Sequence, residues 1–154
     1  MIRLLIIFAL STVLLSAIAP QEIVGHWHAY KKSVDHGSVT TEKEYLHLNA
    51  NHTFNIQLYI TIEKGDAFIK DLRIEGSGIW KNREDTLVIN IQKVEVPFAK
   101  EIYRISQESL RNLANNFKSK YESEPLRIIQ IEQYTGNQLI TTNEKLQQTS
   151  YTRQ

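Results

Sequence analysis

The sequence predicts a mainly β protein, a single antiparallel up-and-down β-barrel of about eight to ten strands with one amphipathic helix. Apolar residues alternate with polar ones through most of the chain after residue 20, which is typical of strands with one buried face. Short polar segments separate these stretches and suit tight turns between antiparallel neighbours. Closure into a barrel is expected because many sequential strands would otherwise leave exposed edges.

The first nineteen residues have the features of an export signal. Arg3 supplies a positive charge, the run from Leu4 to Leu15 is largely apolar, and Ala17-Ile18-Ala19 has the small-x-small form of a signal-peptidase site. Residues 1–19 are therefore predicted to be a signal peptide, residues 20–154 a barrel domain, and the protein to be periplasmic or secreted. Because Pro20 fits poorly after a cleavage site, the alternative is an uncleaved anchor, the one membrane association that the sequence predicts.

Three stretches of alternation define the inner face of the predicted barrel. The stretch that contains Leu72 and Ile74 continues through Gly76 and Gly78 to Trp80. After Gln92 the apolar phase moves by one position, and Pro97 follows, which predicts a bulge or corner. The inward-facing apolar positions are Phe54, Ile56, Leu58, Ile60, Leu72, Ile74, Ile89 and Ile91.

One segment has helical spacing instead. Ser106 is a suitable N-cap, and Pro125 disfavours helical geometry in the residue before it, so a helix is predicted near residues 106–123. Strands are predicted again over 126–134, 138–142 and 146–153. The apolar stripe of the helix consists of Leu110, Leu113, Ala114, Phe117 and Tyr121.

Composition and motifs exclude several classes of function. The 154 residues include no cysteine, which excludes thiol catalysis, disulfides and Cys-based metal centres. The 18 basic and 17 acidic residues are scattered, so nucleic acid is not a predicted partner. The nucleophile, metalloprotease and nucleotide-binding motifs are missing, and the pairs Glu42/Glu44 and Glu122/Glu124 are interpreted as solvated charges. We therefore expect no catalysis, no catalytic residue and no cofactor.

Three short motifs resemble those of small bacterial lipocalin-like domains, which are calycin-type β-barrels. Gly25-His26-Trp27 resembles the G-x-W opening of that family, and Gly78-Ile79-Trp80 resembles its second G-x-W. The ending Ser150-Tyr151-Thr152-Arg153 is similar to its last strand. The resemblance implies that Gly25, Trp27 and Arg153 form a structural plug at one end of the barrel, with Arg153 stacked on the tryptophan.

Two functions remain open after these steps. A barrel of this size either is filled by its own side chains or holds one small ligand, which would be hydrophobic because the inner face is apolar. The alternative is a surface that binds a protein, as an inhibitor or immunity-type protein does, and an uncovered helix stripe would favour it. The candidate ligand-binding residues are Trp27, Phe54, Ile56, Leu58, Ile60, Leu72, Ile74, Trp80, Ile89 and Ile91, of which the two tryptophans fit a structural role better.

A histidine pair is a weak candidate for metal binding. His26 and His28 flank Trp27 on one predicted strand and project from the same face about 7 Å apart, with His47 as a third candidate ligand. If Trp27 points inward, both histidines point to solvent, where they are ordinary polar strand residues. We therefore predict no metal site.

Overall fold

The structure is a computed structural model that describes residues 18–96 and 99–154, and these form nine strands and two helices. The strands are antiparallel to their neighbours, as short turns between alternating stretches require. In chain order the elements are α1 Pro20–Ile23, β1 Gly25–Asp35, β2 Ser38–Leu48, β3 Thr53–Lys64, β4 Ala67–Arg83, β5 Thr86–Glu95, β6 Ala99–Tyr103, α2 Gln107–Ser123, β7 Leu126–Tyr134, β8 Gln138–Thr142 and β9 Gln148–Arg153.

Eight of these strands, β1 to β5 and β7 to β9, close into a barrel. Each pairs with the next along the chain, and β9 returns to β1 with Arg153 opposite Trp27. β6 lies outside the closed ring and pairs with the first half of β4. The predicted fold class, a mainly β up-and-down barrel with one long amphipathic helix, is confirmed.

The predicted irregularity after Gln92 is a β-bulge. In the pairing of β4 with β5, Gly78 lies opposite Ile91 while Ser77 lies opposite Lys93, so Gln92 is the extra residue. This insertion explains why the inward positions change from Ile91 to Val94. Both β5 and β6 pair with β4, and the chain between them contains Pro97. The predicted corner at Pro97 lies outside the described residues.

The long helix α2 packs against the barrel. Ser106 caps it as predicted, because its hydroxyl oxygen accepts a hydrogen bond from the Ser109 amide at 3.0 Å. The helix ends at Ser123, two residues before Pro125. Its apolar stripe covers a core cluster built from β3, β4 and β5. The stripe is therefore covered and does not provide the uncovered surface that would favour binding of a protein. The stripe residues in contact with that cluster are Leu110, Leu113, Phe117 and Tyr121.

One end of the barrel is closed by Trp27 and Arg153. Trp27 is fully buried, and its indole Nε1 donates a hydrogen bond to the Ile23 carbonyl at 2.8 Å. The Arg153 guanidinium lies 4.3 Å from the Trp27 ring centroid. It also donates to the carbonyls of Glu22, Val24 and Gly136 at 2.6–2.7 Å. We call Ile23, Trp27, Tyr134 and Arg153, with the one-turn helix α1, the closed end.

The last strand begins later than predicted. Leu146 was placed at its start, but it lies in the turn between β8 and β9, 86% exposed and with φ of 59°. The turn is held by the Asn143 side chain, whose Oδ1 accepts hydrogen bonds from the amides of Lys145 and Gln147 at 2.9 Å. β9 therefore starts at Gln148.

The predicted signal peptide falls almost entirely on residues 1–17, outside the described residues. Ile18, the first described residue, packs against the core, and its carbonyl accepts a hydrogen bond from the Asn82 side chain at 2.8 Å. Neither helix within residues 18–96 and 99–154 has the length and apolarity needed to cross a membrane.

Candidate ligand-binding cavity

The barrel holds a cavity of about 370 Å³. Its lining includes residues of the β8–β9 turn and of the C-terminal half of α2, whereas Arg153 and the β7–β8 turn lie at the closed end. The cavity therefore opens at the end opposite Trp27. Its volume lies within the range of small-ligand sites, roughly 300–1,000 Å³.

The apolar side of the cavity is supplied by β3, β4 and β5. Every second residue of these strands faces inward, because apolar and polar residues alternate along each strand. Trp27, Leu72 and Trp80, which were also candidates, are buried and do not line the cavity. The candidates that do line it are Phe54, Ile56, Leu58, Ile60, Ile74, Ile89 and Ile91, and we call these seven side chains the apolar wall.

The opposite side is polar, which the sequence analysis did not predict. Glu44 shares the inward face of β2 with Leu46 and Leu48, so its carboxyl lies inside the barrel. The hydroxyl of buried Tyr151 donates a hydrogen bond to Glu44 Oε1 at 2.6 Å. The interpretation of Glu44 as a solvated charge is therefore wrong. We call Glu44, Thr141, Thr149 and Tyr151, which β2, β8 and β9 supply, the polar wall.

Burial governs the acid–base properties of this wall. It raises the pKa of the Glu44 carboxyl, and the Tyr151 hydrogen bond opposes this only in part. Nearby Glu42 raises the pKa further. Burial and the Glu44 charge together raise the pKa of the Tyr151 hydroxyl well above its ordinary value. The pKa of Tyr121 is raised by the same two causes, so these three groups face a common region of the cavity.

Charged residues of both signs surround the opening. The basic side chains are Lys31, Lys120, Arg127 and Lys145, and the acidic ones are Glu42 and Glu144. Two of the basic residues lie next to an acidic one. Lys31 lies opposite Glu42 in the β1–β2 register, and Arg127 Nη1 lies 3.2 Å from Glu124 Oε2. Glu144 Oε1 accepts a hydrogen bond from the Ile128 amide at 2.6 Å, which lowers the pKa of its carboxyl.

Two of the cavity residues that the sequence analysis missed could have been found from their even spacing to inward-facing residues of the same strand. Glu44 has the same parity as Leu46, and Tyr151 has the same parity as Arg153, so both belong on the inner face. Phe117 and Tyr121 line the cavity because the helix packs across one side of its opening. Their helical spacing identifies them as buried, but it does not say what they contact.

The three candidate metal ligands lie on the outside of the barrel. His26 and His47 are register partners, and their rings stack with centroids 3.7 Å apart. The His28 ring lies against that of Tyr45, with centroids 4.8 Å apart and the ring planes tilted by 35°. Burial and the neighbouring His26 lower the pKa of His47. Within residues 18–96 and 99–154, no group of three or more His, Asp or Glu side chains is arranged to hold a metal ion.

Replacing Glu44 with glutamine is expected to stabilise the protein at neutral pH but not at acidic pH. The raised pKa means that the folded state binds the proton more tightly than the unfolded chain, so stability falls as pH rises from the usual value of 4.5 through the raised one. Glutamine keeps an acceptor for Tyr151 and removes the group whose ionisation burial opposes. We expect the melting temperature to rise by roughly 3–5 °C at neutral pH, or about 1 kcal/mol. Below pH 4.5 the two proteins should melt together. Glu63→Gln, at an exposed carboxyl on β3, is the control, and an equal gap at both pH values would contradict the prediction.

A scan against protein-family models finds no match to this sequence, and a search of curated proteins also finds none. The fold and the cavity therefore define an architectural class, a closed eight-stranded antiparallel barrel with one long helix. This architecture is consistent with a calycin-like barrel.

Proposed function

We propose that the protein is an exported lipocalin-like protein that binds a small hydrophobic ligand in its barrel and carries out no catalysis. The observation that carries the proposal is the cavity of about 370 Å³, which is closed at the Trp27 end and open at the other. Its apolar wall would remove the body of a ligand from water, and burial of apolar surface is the main source of affinity in such sites.

The G-x-W resemblance supports the proposal through the closed end. Gly25 has φ of 140°, and a side chain there would meet the Arg153 guanidinium, with Cβ 2.5 Å from Nη1. The glycine thus leaves space for Arg153 to cover Trp27. A closed end of this kind gives the barrel a base, so a ligand would enter from the opposite end.

Filling the cavity is expected to abolish most ligand binding. Ile91 lies on the apolar wall and is only partly buried because it faces the cavity, so Ile91→Trp places a large ring where the ligand would lie. Titration with the neutral apolar dye Nile red should show saturable binding to the original protein. The variant should bind the dye at least roughly tenfold more weakly, a loss of about 1.4 kcal/mol.

The matched control is Val88→Trp on the same strand. Val88 lies on the outer face of β5, so its replacement adds an indole without entering the cavity. Its affinity for the dye should remain within about twofold of the original. Equal binding by the Ile91 variant, or equal loss in both variants, would contradict a binding site inside the barrel.

One observation favours the alternative of a protein-binding surface. Ile79, Leu126 and Ile128 are 38%, 53% and 50% exposed on the outer faces of β4 and β7, and Val88 of β5 lies directly opposite Ile128. Adjacent exposed apolar side chains on neighbouring strands are a common feature of interfaces. If Nile red does not bind the original protein, this patch becomes the better candidate.

A further inference from the structure

The polar wall contains a carboxyl group, that of Glu44, which lies inside the barrel and has no cationic partner among the described residues. Among the described residues, Tyr151 is the one hydrogen-bond partner of Glu44, and it bonds to Oε1. No ion pair involves Glu44 within those residues. Burying an ionised carboxylate is costly unless a cation or several donors accompany it. The protein itself supplies one neutral donor.

The surroundings of Glu44 increase the demand for a positive group. Glu42, the next inward-facing residue of β2, is a second carboxyl near Glu44, whereas Tyr121 and Tyr151 are neutral and supply no compensating charge. Ala29 of β1 and Leu58 of β3 are the register partners of Glu44 and carry no charge. The basic residues of the described cavity lining surround its opening and none forms an ion pair with Glu44, so a ligand can supply the cation at this position.

We propose that the cavity selects small amphiphiles with a protonated primary amine, whose ammonium group donates hydrogen bonds to the Glu44 carboxylate while the hydrocarbon body lies against the apolar wall. This inference rests on the proposed function, because it specifies the ligand of the same cavity. A charge-assisted hydrogen bond in a partly enclosed site is stronger than one between neutral groups, so the head group would contribute selectivity in addition to apolar burial.

The basic side chains at the opening do not favour an anionic amphiphile to the same degree. Arg127 is paired with Glu124 and Lys31 lies opposite Glu42, whereas Lys120 and Lys145 lie at the opening without an ion pair among the described residues. A carboxylate drawn into the cavity would also face the Glu44 carboxyl, and like charges repel more strongly in a partly enclosed site than in bulk water. Glu44 lies further inside the barrel than Lys31 and Glu42, beside the apolar wall, so we expect it to decide the sign of the head group.

The test compares three ligands that share one hydrocarbon chain. Octylamine, octanol and octanoate are titrated by calorimetry at neutral pH into the original protein, Glu44→Gln and Glu63→Gln. The original protein should bind octylamine at least roughly tenfold more tightly than either other compound. Glu44→Gln should bind octylamine no better than octanol. Glu63→Gln, which removes an exposed carboxyl of β3 that does not line the cavity, should keep the preference for the amine.

The outcomes separate this inference from the proposed function. Binding of octanol without a preference for octylamine would overturn the amine inference alone, as would tighter binding of octanoate or a preference that survives Glu44→Gln. Failure of all three compounds and of Nile red to bind would overturn the proposed function as well. The comparison of head groups on the original protein is independent of whether a variant folds, and melting curves check the folding of both variants.

Discussion

Replacing Trp27 with alanine is expected to lower the free energy of unfolding by about 3–5 kcal/mol, close to the limit for a single core residue. The indole is completely buried, and its removal leaves a cavity at the closed end. The Ile23 carbonyl loses its donor, and the Arg153 guanidinium loses the ring over which it lies. Urea unfolding followed by far-UV circular dichroism measures the change, with the slope checked for two-state behaviour.

Tyr30→Ala is the matched control for this variant. Tyr30 is an aromatic residue on the same strand, but it is 58% exposed on the outer face. Its replacement should change stability by no more than about 0.5 kcal/mol. If Trp27→Ala unfolds at the original urea concentration, the closed end does not depend on the tryptophan, and the G-x-W resemblance loses its physical basis.

Most of the fold follows from the alternation of apolar and polar residues. In β3 and β4, Leu58 and Ile74 are both inward and lie directly opposite each other, as the period of two requires. The shift after Gln92 is a change of parity, and one extra residue in a strand is its simplest physical cause. Local rules were sufficient here because β3, β4 and β5 each bury one face along most of their length.

The polar wall could not be predicted by the same rule. On β2 the inward face changes from Leu46 to Glu44 and Glu42, and the alternation that marks a buried face disappears. A carboxyl at such a position resembles a surface residue unless the barrel is known to enclose a cavity there. The Glu44–Tyr151 hydrogen bond joins residues 107 positions apart, so no local pattern contains it.

The cavity itself depends on how long the strands are relative to one another. β3 and β4 extend beyond the shorter β8 and β9, and α2 packs against this extension. Phe117 and Tyr121 therefore reach the cavity from outside the ring of eight strands. The helix thus covers apolar surface and also shapes the opening, and a periodicity argument predicts only the first of these roles.

Replacing Gly78 with alanine is expected to destabilise the protein by about 3 kcal/mol, at the upper end for adding one methyl group to a packed core. A Cβ at this position would overlap the Asn90 carbonyl oxygen and lie 3.0 Å from both Gln92 N and Phe54 Cε1. Two of these three atoms belong to the backbone of β5 at the bulge, so they cannot rotate away. The variant should unfold at a lower urea concentration and show weaker protection of the β5 amides from hydrogen exchange.

Gly76→Ala separates this steric effect from a general cost of losing a glycine on β4. There the added Cβ would lie 2.8 Å from Ile56 Cγ2, a side-chain atom on the wall of the cavity, and 3.9 Å from the nearest backbone atom. Ile56 can move into the open space, so the cost should be about 1 kcal/mol or less. Similar losses in both variants would mean that the β4–β5 bulge is not what requires glycine at position 78. A large loss at Gly78 alone would show that the parity change after Gln92, which re-aims Val94 into the barrel, depends on the missing side chain opposite it.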